Sequence, residues 1–198
     1  MFPSYENLHD DDQLLLEVGR CLDVWSVVEL NLAAIFSYLY VPTCEPPHAR
    51  VAIRAPFDAV VSFDARLTML DTAVVNSPIA NSLVRERWPA LSNRLSKKYK
   101  KRHEVAHFSI TRTKNPDAPA TLQPFSTFTA HYHEQARTPL TLANLIQRRD
   151  SFCRLADETA AYVDYLRSLQ EHGEEVLAER ESLAREIRGT NAQTPKDT

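Results

Sequence analysis

Between Lys97 and Phe108 the chain reads KKYKKRHEVAHF, and four side chains suited to chemistry fall close together there: Arg102, His103, Glu104 and His107. Two imidazoles at positions i and i+4 of a helix lie one turn apart on one face. At that spacing both can ligate one Zn²⁺ while a Glu between them takes a proton from metal-bound water. His103, Glu104 and His107 have this spacing, so a zinc-dependent peptidase site is one reading. Such a site needs a third protein ligand. FSITRT, directly after the motif, offers none, and the next candidates are His131, His133 and Glu134 in HYHEQ. Lys100, Lys101 and Arg102 are charged where a helix buried beneath a metal cleft would be apolar.

A second chemistry uses the same His107 without metal. Cutting RNA by transesterification requires a proton taken from a 2′-hydroxyl, a proton given to the 5′-oxygen, and positive charge on the crowded phosphate. An imidazole can move both protons near neutral pH. A guanidinium is permanently charged and donates two parallel hydrogen bonds to phosphate oxygens. On one helix Arg102 and His107 stand about 140° apart around the axis, while His103 is about 40° from His107. One copy therefore presents Arg102 and His107 awkwardly, and a two-fold dimer would gather all three from both chains into one groove.

The run RHEVAH, ending a basic helix, resembles the R-N-x-x-A-H motif of HEPN-domain proteins. SFDARLTML and LDVWSVVELNLAAIF resemble earlier helices of the same superfamily, over roughly residues 10–170. Asn is common there after the Arg and Gly after the His, whereas His103 and Phe108 stand at those positions here. The resemblance implies an all-α, HEPN-like bundle that homodimerises with two R-x-x-x-x-H motifs facing each other. It implies a metal-independent endoribonuclease with no cofactor, suited to a toxin or antiviral defence role, with a protein inhibitor or antitoxin as a conceivable partner. His107 would be the acid/base, Arg102 the phosphate-stabilising group and His103 their support. Lys97, Lys98, Lys100 and Lys101 would hold flanking phosphates. Glu104 is assigned a structural role. Plainer readings stand beside this: His107 at a helix C-terminus, where a cation is favoured, Arg102 paired with an acid on the last helix, and a non-catalytic HEPN-like module for dimerisation or protein binding.

The whole-chain charge does not point to nucleic acid, being −3, but its distribution is uneven. Arg85 to Arg102 holds eight basic residues against Glu86 alone. Such a local excess attracts phosphate, or else is a solvated face with acids supplied by a neighbouring helix. Three well-separated cysteines suit a reducing cytoplasm better than a disulfide framework. The acidic start MFPSYENLHDDD is unlike a targeting leader, and no apolar run reads as long enough to span a membrane. The expectation is a soluble cytoplasmic protein.

Only three glycines in 198 residues, with hydrophobic residues at 43%, favour helices. The first helix is expected over residues 9–40, with Leu15, Val18, Leu22, Trp25, Leu32, Ile35 and Leu39 on its apolar face. VPTCEPPHAR reads as a loop. A second helix should follow Pro56, carrying Phe57, Val60, Val61, Leu67, Leu70 and Val74, and end near Asn76 to Pro78. A third covers 79–107, kinked or restarted at Pro89, with the stripe Leu83, Trp88, Leu91, Leu95 and Tyr99. Trp25, Trp88 and Tyr99 fall on these stripes and read as core rather than as stacking platforms for bases.

FSITRT and ATLQPFSTFTAHY read as a hairpin or extended arm, placed over the site as a lid or pointing away from it. The fourth helix is capped by Thr141 and buries Leu145, Phe152, Leu155, Thr159, Val163, Leu166 and Leu169. Four main helices with an insertion at 108–140 make a domain over 1–172. Gly173 would divide off a helical extension and disordered tail, 173–198.

Overall fold

The computed structural model describes residues 8–41, 47–112, 119–124 and 139–191, with side chains described only as far as residue 172 of the last segment. It is an all-α fold carrying one short β-hairpin. Five helices, α1 (Asp10–Tyr40), α2 (Pro47–Ala59), α3 (Phe63–Asn76), α4 (Ser82–His107) and α5 (Leu142–Asn191), flank β1 (Phe108–Thr111) and β2 (Thr121–Pro124).

Asp10, Asp11 and Asp12 occupy the first turn of α1, where negative charge offsets the helix dipole. The buried stripe of α1 is Leu14, Cys21, Trp25, Val28, Leu32, Ile35 and Leu39. Leu15, expected inside, is 58% exposed. The run Leu14–Leu15–Leu16 carries no phase of its own, and packing on α5 sets it. α1 is also long and apolar enough to cross a membrane by length and composition, contrary to the reading of its sequence, although half of that stretch is buried within the protein.

The expected second helix is two helices. α2 begins at Pro47, inside the expected loop, because a proline in the first turn lacks only an N–H that the helix would not have used. It ends at Ala59, and Arg66 explains the break. Its Nε donates to the carbonyl of Val60 at 2.6 Å and its Nη2 to that of Asp58 at 3.1 Å, satisfying the helix-end carbonyls. Ser62 then caps α3, its Oγ accepting from the N–H of Ala65. Val61, expected on an apolar face, lies at this break and is 95% exposed.

α4 starts after Asn81, whose Oδ1 accepts from the Val84 N–H at 3.0 Å. It passes through Pro89 without a break. Pro89 is exposed, so water can satisfy the carbonyl that loses its partner there. Val84 rather than Leu83 joins Trp88, Leu91 and Leu95 in the core. Thr141 caps α5 as expected: its Oγ1 accepts from the Asn144 N–H while Asn144 Oδ1 accepts from the Thr141 N–H, a reciprocal box. All seven residues expected on the inner face of α5 are buried, and the helix continues through Gly173 to Asn191.

α1 and α5 run parallel as the main packed pair. Cys21 Sγ lies against the Leu145 carbonyl, Asn31 donates to the Ala156 carbonyl, and Arg167 reaches Tyr38. α4 runs antiparallel to α5, with Asn81 bonded to Tyr165 at one end and Lys98 to Ser151 nearer the other. Trp25 sits where the helices meet, its ring 5.4 Å from Phe63, 6.2 Å from Tyr99 and 5.3 Å from Phe152. Burying four aromatic rings at one point locks the α4 turn just ahead of the motif against α1, α3 and α5. Antiparallel β1 and β2 pair Ile110 with Leu122, and the buried Leu122 is bridged to Leu140.

Candidate functional site

The motif occupies the last turns of α4 and stays helical through His107. Phe108 then begins β1 directly, with φ −83° and ψ 153°. A residue in extended geometry needs no left-handed conformation, so the absence of Gly after His107 is compatible with this exit. The Phe108 N–H closes the helix on the carbonyl of Glu104.

His103 and His107 stack on one helix face, as their spacing requires: ring centroids are 4.2 Å apart and the planes tilted by 42°. His103 is half-buried and His107 exposed. Burial pushes the His103 pKa below the usual imidazole value, and the neighbouring His107 and Arg102 push the same way, with Glu104 opposing. His103 is therefore held toward its neutral form.

Glu104 leaves the imidazoles for an ion pair with Arg148 on α5. Arg148 also donates to the Lys101 carbonyl at 2.9 Å. The motif turn is thus fastened to the start of α5 through both a side chain and the backbone. Glu104 therefore pairs with an arginine of the last helix. Arg102 has no such tie. Among the described residues it forms no ion pair, and its Nε is buried without a hydrogen-bond partner.

The four lysines divide. Lys97, Lys100 and Lys101 are exposed. Lys98 turns inward to bond Ser151 Oγ on α5, and burial lowers its pKa with help from the charges of Lys101 and Arg154. Lys97, Lys100 and Lys101 face solvent, while Lys98 is engaged within the fold. Arg94 is also engaged, paired with Glu158. Trp25 and Trp88 are buried and Tyr99 is packed against the core, in line with a core role for all three.

Arg148, which holds Glu104, and Arg154, near Lys98, lie at the motif end of the bundle and were not singled out from the sequence. Arg112, just past β1, also joins this end by gripping Asp11 through two nitrogens and approaching His9 Nδ1 at 2.8 Å. That contact ties the strand leaving the motif to the start of α1.

For a metal site the two imidazoles are near enough to share an ion, but no group of three or more His, Cys, Asp or Glu suited to a metal occurs among the described residues. Glu104, which a zinc peptidase would use as base, is held by Arg148. HYHEQ lies outside the described residues, as does most of the insertion at 108–140 that could have lain over the site. Comparison with family models, curated proteins and solved structures finds no match to this chain.

Proposed function

We propose that the chain is a metal-independent endoribonuclease whose site is built from Arg102, His103 and His107, two copies contributing to one groove. The observation that carries this reading is the split of charges at the motif: the one acid in it, Glu104, is consumed by Arg148, while Arg102 has no anionic partner among the described residues. A guanidinium left without a carboxylate beside two imidazoles is suited to an anion from outside the chain, and a phosphodiester supplies one.

In this reading the Arg102 guanidinium bonds the non-bridging oxygens and stabilises the charge that builds as the phosphorus becomes five-coordinate. One imidazole accepts the 2′-hydroxyl proton, the new O–P bond forms, and the 5′-oxygen leaves with a proton from an imidazolium. Products are a 2′,3′-cyclic phosphate and a free 5′-hydroxyl. His107, exposed at the helix end, is the acid/base. His103, held toward neutrality and stacked on it, supports the proton transfer. Lys97, Lys100 and Lys101 draw the flanking backbone into place.

Single-stranded RNA incubated with the protein in EDTA tests the proposal. Cleavage that survives chelation and falls at least 100-fold in His107→Ala supports it. Intact RNA in the presence of the folded protein would instead favour a non-catalytic binding module, and peptidase activity restored by Zn²⁺ would favour the metal reading.

A further inference from the structure

A second donor-rich cluster lies at the far end of the bundle. Nineteen residues separate Arg148 from Arg167 on α5, which is about 28 Å along a helix. There Tyr38, in the last turns of α1 and only 8% exposed, receives two guanidiniums. Arg167 Nε donates to its hydroxyl oxygen at 3.0 Å, and Arg50 Nη1 approaches the same oxygen at 3.5 Å. Both guanidinium groups also approach the Tyr38 ring, 4.7 Å from its centroid for Arg50 and 5.7 Å for Arg167.

Arg167 has two exposed acids beside it, Asp164 at 3.3 Å and Glu171. Among the described residues Arg50 has no acid, and its Nε is buried without a hydrogen-bond partner. Arg50 also stands in the first turn of α2, which carries no acidic residue to offset the helix dipole. With both guanidiniums directed at its oxygen, the Tyr38 hydroxyl has its own proton left to donate, and no acceptor for it occurs among the described residues. Two cations and a phenol O–H thus converge, and of the two guanidiniums only that of Arg167 has acids beside it among the described residues.

We propose that Arg50, Arg167 and Tyr38 form a binding site for a terminal phosphate group, separate from the motif on α4. Two permanent charges match a dianion, and two forks with a third donor match the several oxygens of a tetrahedral phosphate better than the two of a planar carboxylate. An internal phosphodiester carries one charge and two free oxygens, so a phosphate monoester or free phosphate fits better. Arg167 is 47% exposed, which leaves the cluster open to solvent on that side.

The test is binding of inorganic phosphate by calorimetry on the full chain, against chloride at equal ionic strength. The expected result is saturable binding that weakens at least tenfold in Arg50→Gln and in Arg167→Gln and persists in Arg102→Ala. Tyr38→Phe keeps the ring beneath both guanidiniums and should weaken binding while leaving the fold intact. Arg50→Lys keeps the charge without the fork and serves if Arg50→Gln fails to fold. A 5′-phosphorylated oligonucleotide that binds more tightly than its 5′-hydroxyl counterpart, with the difference lost in Arg50→Gln, assigns the phosphate to a nucleic-acid end. Equal binding of the two, with inorganic phosphate still bound, assigns it to a small molecule. No phosphate binding, or binding removed by Arg102→Ala, overturns the proposal.

Discussion

Replacing Glu104 by Gln probes the fastening that holds the motif to α5. The Arg148 side chain is 15% exposed and that of Glu104 31%. The pair therefore lies between a solvated ion pair, which contributes about 0–1 kcal/mol, and a buried one whose breaking costs about 3–5 kcal/mol. Gln retains an oxygen that can accept from Arg148, and Arg148 keeps its 2.9 Å bond to the Lys101 carbonyl. The expected loss is about 1–2 kcal/mol. In a chain of 198 residues that lowers Tm by about 2–8 °C.

Urea denaturation should show the midpoint falling with an unchanged slope, as expected when stability alone changes. Glu104 is also the neighbour that raises the pKa of His103 against the burial and cations that lower it. An NMR titration should then find His103 protonating at lower pH in Glu104→Gln than in the wild type. A double variant with Arg148→Gln should lose less than the sum of the two single losses, because the second change removes a partner already stranded. Wild-type stability in Glu104→Gln, or a His103 that titrates higher, would refute the reasoning.

Three further outcomes follow from the same geometry. Glu17 is fully buried, with Arg20 at 2.7 Å and Arg149 at 2.8 Å on one carboxylate oxygen, so Glu17→Ala should cost about 3–5 kcal/mol in urea denaturation. His103 has a folded pKa below its ordinary 6.5, so the unfolded chain takes up its proton first as pH falls. Its contribution to stability is therefore full above about 6.5, shrinks as pH drops through that value, and levels off below the folded pKa; His103→Gln should flatten this part of a stability-against-pH curve. Burial, reinforced by Glu17, pushes the Cys21 thiol up to about 12, so it should resist alkylation at pH 8 in the native protein while the half-buried Cys153 reacts.

What could be read from the sequence depended on whether one helix face decided the matter alone. α5 has a single buried side, and its inner residues from Leu145 to Leu169 follow from period alone. α1 begins with three leucines in a row, so only the packing on α5 shows that Leu14 turns in and Leu15 out. The division of α2 from α3 depends on Arg66 reaching back to the carbonyls of Asp58 and Val60, and no local pattern announces a side chain that will cap another helix. The same limit holds at the motif. The stacking of His103 on His107 is implied by their spacing and appears at 4.2 Å. The engagement of Glu104 by Arg148 and of Lys98 by Ser151 depends on how α4 and α5 dock, which separates these occupied groups from Arg102, which has no ion-pair partner among the described residues.

The most direct measurement mixes two inactive variants. Arg102→Ala and His107→Ala, each purified, are combined under conditions that let subunits exchange, and RNA cleavage is followed in EDTA. If one groove takes its guanidinium from one chain and its imidazoles from another, mixed dimers recover a measurable part of wild-type activity that neither variant has alone. Subunits shown to have exchanged, yet as inactive together as apart, would contradict a shared site.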